Sequence, residues 1–314
     1  MTRALTFPGQ GSQAVGMGQA LAQAFAAARE LFEEVDEALK QPLSRLMWQG
    51  PESDLTLTEN AQPALMAVSL AIMRVLEQDG KFEWGKHVAF DAGHSLGEYS
   101  ALAAAGALSV PETARLLKTR GRAMQRAVPV GRGAMAALLG AEIAQAEEVC
   151  KEASQGGEIC VVANDNAPGQ VVISGHKAAI ERAAEITKTK GIKRAMMLPV
   201  SAPFHSPLMA PAAREMEDAL GQAMLRPPRV PVVANVSVKP ESDPERIKKL
   251  LFEQVTGRVR WRETIAAMRG WGIKSVAEIG AGKVLTTMAK RIDKDLALTS
   301  VETPQEIEAF MKAL

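Results

Sequence analysis

Ser95 is the residue of this sequence best placed to act as a nucleophile. It lies in the segment GHSLG, residues 93–97, with a short apolar run at residues 87–92 before it and an Ala-rich helical segment after it. A strand–turn–helix context around G-x-S-x-G is typical of a nucleophile elbow, which exposes the serine hydroxyl at a helix N-terminus. Free N–H groups there bind an oxyanion, and we expect the N–H of Leu96 to be the first donor. The alternative is a structural turn whose serine caps the helix.

A serine nucleophile needs a base, and His205 is the best candidate among the four histidines. It lies in a proline-bracketed loop, residues 201–207, and rigidly held loops often carry catalytic groups. His94 adjoins the serine, where an elbow turns its side chain elsewhere, so we expect a core or supporting position. His87 precedes the strand at its far end, and His176 is expected to be an exposed helix cap. A histidine that only stabilises the loop remains the alternative for His205.

Arg120 interrupts the apolar face of a helix predicted at residues 110–127. On a helical wheel, apolar residues fall within about 60° of it. The other basic residues lie more than about 110° away and are predicted to be solvated: Arg115, Lys118, Arg122 and Arg126. An unpaired buried charge costs several kcal/mol, so Arg120 needs an anion. Periodicity alone favours an internal Asp or Glu partner, or extension to the protein edge, over a substrate carboxylate.

Two further segments carry weaker signals. The Gly-rich segment at residues 9–13 follows the first predicted strand, and its backbone N–H groups are able to face an anion or oxyanion. It lacks the spacing of a Walker A loop or a dinucleotide fingerprint. A basic cluster at residues 188–194 is typical of a solvated face, with docking of an acidic partner as the alternative.

Composition excludes several classes of protein. The 314 residues are 47% hydrophobic and 23% charged, which is ordinary for a folded protein of about two domains. A net charge of +1 provides no field to hold nucleic acid. Cys150 and Cys160 form neither a zinc motif nor a disulfide framework, which fits a reducing compartment. No run of about 18 apolar residues predicts a membrane span, so we expect a cytoplasmic protein.

The elements that must position these residues alternate between strands and helices, which predicts an α/β fold with a parallel sheet. The first part of the chain predicts a strand at 3–7, helices at about 17–40 and 60–79, a strand at 87–92, and helices at about 96–106 and 109–127, the last with Ser109 and Glu112 as a capping box. The last part predicts a strand at 230–235, helices near 244–255 and 262–269, a strand at 274–279, and a helix from about 282.

Between these parts lies a different pattern. The segments read as a strand at 133–140, a helix at 142–154, strands at 158–163 and 170–174, a helix at 177–190 and a strand at 194–200, with residues 164–169 as a turn. The order β-α-β-β-α-β is typical of a ferredoxin-like domain. We therefore predict a small domain at 129–199 inserted into a large α/β domain formed by 1–128 and 200–314.

Taken together, motifs along nearly the whole chain closely resemble the malonyl-CoA:acyl carrier protein transacylases of type II fatty acid synthesis. They are FPGQGSQ at 7–13, GHSLGEYS at 93–100, Arg120-Gly121 with Met124-Gln125, NAPGQVVISG at 166–175, and Phe204-His205. The resemblance implies a hydrolase-like α/β core with an inserted ferredoxin-like subdomain.

The resemblance also implies roles for individual residues. Ser95 would be the nucleophile, His205 the base and Arg120 the group that binds the substrate carboxylate, which reverses the preference drawn from periodicity. The backbone N–H groups of Gln10 and Leu96 would form the oxyanion hole.

Two further positions follow from the resemblance. The main-chain carbonyl of Gln254 would orient the histidine. Phe204 would crowd an α-methyl branch and favour malonyl over methylmalonyl, although one methyl group discriminates by only about 1–3 kcal/mol.

The implied activity is ping-pong transfer of a malonyl group from coenzyme A to the phosphopantetheine thiol of an acyl carrier protein, through a malonyl-serine ester. Malonyl-CoA is a substrate, and no bound cofactor or metal is expected. We expect a monomer with no nucleic acid or membrane partner. The alternatives are the acyltransferase of a polyketide synthase or malonate decarboxylase, a serine thioesterase or other hydrolase, and a non-catalytic carrier-binding subunit.

Overall fold

The computed structural model describes residues 3–200 and 202–314; Met1, Thr2 and Ser201 lie outside the described residues. The strands in these ranges are β1 (Arg3–Phe7), β2 (Phe90–Gly93), β3 (Gly133–Leu139), β4 (Cys160–Ala167), β5 (Gln170–His176), β6 (Arg194–Met197), β7 (Val232–Val233), β8 (Pro240–Glu241), β9 (Ser275–Ile279) and β10 (Ala297–Val301). The helices are α1 (Gln19–Ala24), α2 (Ala26–Leu39), α3 (Leu43–Gln49), α4 (Glu52–Thr56), α5 (Thr58–Gln78), α6 (Gly97–Ala104), α7 (Val110–Ala127), α8 (Ile143–Ala153), α9 (Lys177–Thr187), α10 (Ala210–Gln222), α11 (Pro244–Thr256), α12 (Trp261–Gly270), α13 (Val284–Ile292) and α14 (Pro304–Lys312). Among these helices none combines the length and apolar character needed to cross a membrane.

The larger sheet has the strand order β10-β9-β1-β2-β7-β8. Its strands run parallel from β10 to β7, and β8 pairs antiparallel with β7. The carboxyl ends of β1 and β2 lie side by side, since Phe7 pairs with Gly93. Ligands of open parallel sheets bind at this edge, so the sheet places the loops after β1 and β2 where a site is expected. The predicted α/β class with a parallel core is confirmed.

The smaller sheet has the order β4-β5-β3-β6 and is antiparallel throughout. Along the chain its elements run β3-α8-β4-β5-α9-β6, which confirms the predicted β-α-β-β-α-β pattern. It has its own apolar core, in which Leu138, Val149, Ile173 and Ile180 are buried together. We propose on this basis that residues 129–199 form an inserted domain within the domain formed by 1–128 and 200–314.

Several predicted boundaries are wrong for local reasons. The helix expected at 17–40 is broken at Phe25, whose extended backbone (φ −128°, ψ 126°) separates α1 from α2. Helices α3 and α4 were not predicted. The second strand begins at Phe90 rather than His87, because His87 closes a turn by hydrogen bonds with the backbone of Glu83. Strand β7 is shorter than predicted, and Asn235 lies beyond its end, where it contacts Gly93 of β2 and Ser95 in the turn that follows.

The prediction of a turn at residues 164–169 is also wrong for residues 164–167, which belong to a strand. Strand β4 continues through Ala167, which leaves Pro168 and Gly169 to make the turn. The polar residues stay extended because this part of β4 pairs with a neighbouring segment: Val259 N donates to Ala163 O at 2.8 Å, and Asp165 N donates to Val259 O at 3.0 Å. Local turn propensity cannot reveal a partner that lies far away in sequence.

Two glycines allow α6 to lie directly on the sheet. A Cβ on Gly93 would overlap the backbone of Gly97, and a Cβ on Gly97 would overlap the carbonyl oxygen of Phe7. The helix therefore begins in contact with the backbone of β1, which brings its N-terminus to the loop at residues 8–13.

We expect Gly97→Ala to destabilise the fold by at least about 3 kcal/mol, because the clash is with backbone that cannot rotate away. Gly221→Ala in α10 is the matched control: a Cβ there meets nothing within 4 Å, and alanine is the better helix former by about 1 kcal/mol. The free energy of unfolding from chemical denaturation measures both. A Gly97→Ala variant as stable as the parent would contradict this account of the junction.

Candidate active site

Ser95 lies at the junction of β2 and α6 in a left-handed backbone conformation, with φ at 54°. This conformation is unfavourable for a residue with a Cβ, and such strain concentrates at functional sites. The carbonyl oxygens of His94 and Ser95 already accept bonds from the first turn of α6, from Gly97 N and Glu98 N. The junction has the strand–turn–helix form that the sequence predicts for a nucleophile elbow.

His205 is the histidine that reaches the serine. Its Nε2 lies 2.7 Å from Ser95 Oγ. Its Nδ1 lies 2.9 Å from the carbonyl oxygen of Gln254 and 3.1 Å from that of Gly257. Because carbonyl oxygens only accept hydrogen bonds, Nδ1 carries the proton and Nε2 accepts the serine hydroxyl. Main-chain carbonyls thus orient the imidazole, and no acidic side chain among the described residues bonds to it.

The imidazole of His205 is only 4% exposed. Burial, followed by the positive charge of Arg120, lowers the pKa of His205 to about 3. The bonds to Gln254 and Gly257 oppose this shift but do not cancel it. At neutral pH the ring is therefore uncharged and able to accept a proton.

Arg120 is buried beside the serine, with 2% of its surface exposed. Its Nη1 donates to Gln62 Oε1 at 2.8 Å, and its Nη2 donates to Gln254 Oε1 at 2.9 Å and to Ser95 Oγ at 3.1 Å. Within the described residues its Nε has no hydrogen-bond partner. Every hydrogen bond that the structure gives Arg120 goes to an uncharged group, so the direct Asp or Glu partner and the extension to the protein edge that periodicity favoured are not found among the described residues. The buried carboxyl of Glu98 acts on the guanidinium without a direct bond.

The predicted solvation of the other basic residues of α7 holds for Arg115, Arg122 and Arg126, which are exposed. It is wrong for Lys118, which is 8% exposed. Its Nζ lies 3.0 Å from Glu59 Oε2 and donates to Asn60 Oδ1 at 2.7 Å and to Gln41 Oε1 at 2.9 Å. Helix α7 packs against both α2 and α5, and this buries a wider face than one apolar stripe indicates.

The predicted site residues surround a cavity of about 300 Å³ between the two sheets. It is lined from the larger domain by Gln10, Ser95, Leu96, Arg120, Phe204 and His205, and from the smaller sheet by Met135 and Val172. Gln254 supports this wall from behind through its bonds to Arg120 and His205.

The positions predicted for oxyanion donors face the same cavity. Leu96 directly follows the serine, and Gln10 follows β1 with its side chain held by Thr58 Oγ1 at 2.8 Å. Neither backbone N–H has an acceptor within residues 3–200 and 202–314. Both amides are thus free to bind an oxygen in the cavity.

The remaining histidines lie away from the serine hydroxyl. The His94 side chain contacts Asn166 Oδ1 through Nε2 at 2.9 Å and packs edge-on against Trp261, which is the supporting position expected of it. His176 begins α9 but is only half exposed, and its Nδ1 accepts from Ile159 N rather than capping the helix.

Sequence reasoning missed three residues that hold this site together. The side chain of Gln62 accepts a hydrogen bond from Arg120. Asn235 accepts one from the backbone N–H of Ser95, and Glu98 accepts one from the side chain of Gln254. Glu98 had one available signal, an acid in an otherwise Ala-rich helical segment. Gln62 and Asn235 had none, since their role depends on contacts distant in sequence.

Known proteins with similar sequences identify the family to which this serine–histidine–arginine site belongs. Residues 5–303 match the family described as the acyl transferase domain. The chain belongs to this acyltransferase family. Curated relatives include malonyl CoA-acyl carrier protein transacylases of Bacillus subtilis, 42% identical over 99% of this chain and 96% of the relative, and Escherichia coli, 43% identical over 98% of both.

Solved structures of the family have the same fold. An acyl-carrier-protein-S-malonyltransferase from Bartonella henselae is 57% identical, with a TM-score of 0.97 over 100% of this chain and 99% of that one. A malonyl-transacylase in complex with a type II PKS acyl-carrier protein is 42% identical, with a TM-score of 0.96 over 100% of both chains.

Histidine NMR tests the electrostatics of the site. We expect the His205 imidazole to stay neutral from pH 8 down to about pH 4.5, because burial and Arg120 disfavour its protonation. Arg120→Ala should raise the pKa of His205, whereas Arg122→Ala, on the exposed face of the same helix, should leave it unchanged. A parent titration near the ordinary value of 6.5 would refute this electrostatic description.

Proposed function

We propose that this acyltransferase moves a malonyl group from coenzyme A to the phosphopantetheine thiol of an acyl carrier protein. The observation that carries the proposal is the position of the Ser95 hydroxyl, 2.7 Å from His205 Nε2 and 3.1 Å from Arg120 Nη2. A nucleophile with a base on one side and a buried cation on the other suits an acyl group that ends in a carboxylate. The names of its relatives support the same substrate and acceptor.

In the first half-reaction, His205 Nε2 takes the proton of Ser95 Oγ as that oxygen attacks the thioester carbonyl carbon. The N–H groups of Gln10 and Leu96 stabilise the negative oxygen of the tetrahedral intermediate. When the intermediate collapses, the C–S bond breaks and the imidazolium returns its proton to the departing thiolate of coenzyme A. A malonyl ester on Ser95 remains.

In the second half-reaction, the neutral His205 takes the proton of the phosphopantetheine thiol. The sulfur attacks the ester carbonyl, the same amides hold the oxyanion, and Ser95 leaves with the proton from the imidazolium. The low pKa of His205 keeps it in the base form at the start of each half-reaction.

Arg120 would select the acyl group. A carboxylate that binds its guanidinium takes the place of the bond to Ser95 Oγ and compensates a charge whose hydrogen-bond partners among the described residues are all neutral. Phe204 lines the cavity next to the histidine, where its ring would crowd an α-methyl branch. This favours malonyl over methylmalonyl by about 1–3 kcal/mol.

We infer fatty acid synthesis as the pathway, with a polyketide or malonate decarboxylase system as the alternative. A serine hydrolase would use Ser95 and His205 in the same way, but it would leave the buried guanidinium of Arg120 without a function. We also infer a cytoplasmic monomer that needs no bound cofactor.

The basic cluster at residues 188–194 is a weak candidate for carrier docking. Lys188 pairs with Glu185 at 2.7 Å and Lys190 pairs with Glu152 at 3.1 Å, so neighbouring carboxylates already neutralise part of its charge.

Replacing the nucleophile should abolish the covalent intermediate. We expect parent protein mixed with malonyl-CoA to gain the mass of one malonyl group, and Ser95→Ala to gain none, because no other described hydroxyl is bonded to His205 Nε2. Intact mass spectrometry measures both, with Ser100→Ala on α6 as the matched control. Malonylation of Ser95→Ala at the parent level would refute the assignment.

Replacing the cation should change substrate preference. We expect Arg120→Ala to lower kcat/KM for malonyl-CoA by about 100-fold or more and that for acetyl-CoA by less than about tenfold, because only the malonyl group carries a carboxylate. Arg122→Ala, two residues further along the same helix on its exposed face, should leave both values within about twofold. Equal losses on the two donors would contradict a carboxylate-binding role.

A further inference from the structure

The conformation of Ser95 is fixed by side chains that approach its backbone from two other elements. Asn235 Oδ1 accepts from Ser95 N at 2.8 Å, and Gln254 Nε2 donates to Ser95 O at 3.0 Å. Asn235 Nδ2 also donates to Gly93 O at 2.7 Å, two residues before the serine. Asn235 therefore bonds to the backbone on both sides of the strained turn.

These two amides share one buried anchor. Glu98 Oε2 accepts from Asn235 N at 3.0 Å and from Gln254 Nε2 at 2.7 Å. Glu98 is 2% exposed, and Asn235 and Gln254 are fully buried. A buried acceptor with two donors fixes both donors in place, because breaking either bond leaves a polar group without water.

We propose that Asn235, anchored by Glu98, is a positioning residue that holds Ser95 in its left-handed conformation and so aims the hydroxyl at His205 Nε2. This inference rests on the proposed function, in which Ser95 is the nucleophile. Without the bond from Ser95 N to Asn235, the serine peptide is free to relax from φ 54° toward ordinary values. Rotation of that peptide moves Oγ away from the base, and a displacement of about 1 Å at a reacting atom costs about 100-fold in rate.

The same network reaches the other two groups of the site through Gln254. Its carbonyl oxygen accepts from His205 Nδ1, and its Oε1 accepts from Arg120 Nη2. Asn235 touches neither of those groups in the described residues, so its loss is expected to disturb the nucleophile more than carboxylate binding. This difference makes its role separable from that of Gln254.

The test compares Asn235→Ala with Asn60→Ala, a buried asparagine that binds Lys118 and Gln41 away from the serine. We expect Asn235→Ala to lower kcat for malonyl transfer by about 100-fold, with KM for malonyl-CoA within about threefold. Asn60→Ala should keep kcat within about twofold of the parent value, even if it lowers the melting temperature as much as Asn235→Ala does. Comparable losses of kcat in both variants, or a loss in Asn235→Ala that appears in KM alone, would overturn the proposal.

Two substitutions of Glu98, one conservative and one not, test its role as the anchor of Asn235 and Gln254. Burial disfavours the charged form of Glu98 and raises its pKa to about 7, which lowers the cost of a neutral side chain at this position. Glu98→Gln keeps an oxygen for both donors and should retain kcat within about fivefold, whereas Glu98→Ala should resemble Asn235→Ala. Equal activity of Glu98→Gln and Glu98→Ala would contradict the role of Glu98 as anchor.

A fluorophosphonate, which labels activated serines irrespective of the acyl donor, separates this inference from the proposed function. We expect it to label Ser95 of the parent and to label Asn235→Ala about 100-fold more slowly. If the parent is labelled but does not transfer malonyl groups, the proposed function fails and the positioning role stands. If Asn235→Ala is labelled at the parent rate, the positioning role fails and the proposed function stands.

Discussion

A positive charge buried beside a serine hydroxyl is the constraint on which the rest of this site depends. The guanidinium of Arg120 has only neutral hydrogen-bond partners, and its Nε has none among the described residues. A charge in this state is costly, and an incoming carboxylate would compensate part of that cost. The same charge helps to keep His205 unprotonated. We propose that this one residue both favours an acidic acyl group and keeps His205 in its base form.

The fold satisfies this constraint by bringing distant segments to one edge of a parallel sheet. Close backbone contact at Gly97 places α6 against β1, so the amides after the serine face the loop that carries Gln10. Helix α7 supplies Arg120, and α11 supplies the carbonyl that orients His205. The smaller sheet lines the opposite side of the cavity with the apolar side chains of Met135 and Val172 and the amides of Asn164 and Asn166.

The parts of this site that the sequence could predict are those with a local signature. Ser95 was predictable because its strand, turn and helix are contiguous, and Arg120 because a cation in an apolar stripe violates helical periodicity. From the residues alone His205 followed only by elimination, and the family resemblance then implied its role as the base. The hydrogen-bond partners of Arg120 were unpredictable, because Gln62 and Gln254 lie on other helices. Their amide side chains are uncharged, so the pattern of charged residues along the sequence does not reveal them. The pairing of β4 with Val259 was hidden for the same reason, because Val259 is distant from β4 in sequence.

The most direct measurement of the central claim is a crystal structure of the protein after reaction with malonyl-CoA. The account predicts an ester on Ser95 whose terminal carboxylate lies within hydrogen-bond distance of the Arg120 guanidinium, with the bond between Arg120 and Ser95 Oγ broken. An ester whose carboxylate points to solvent, while Arg120 keeps only its present neutral partners, would contradict it.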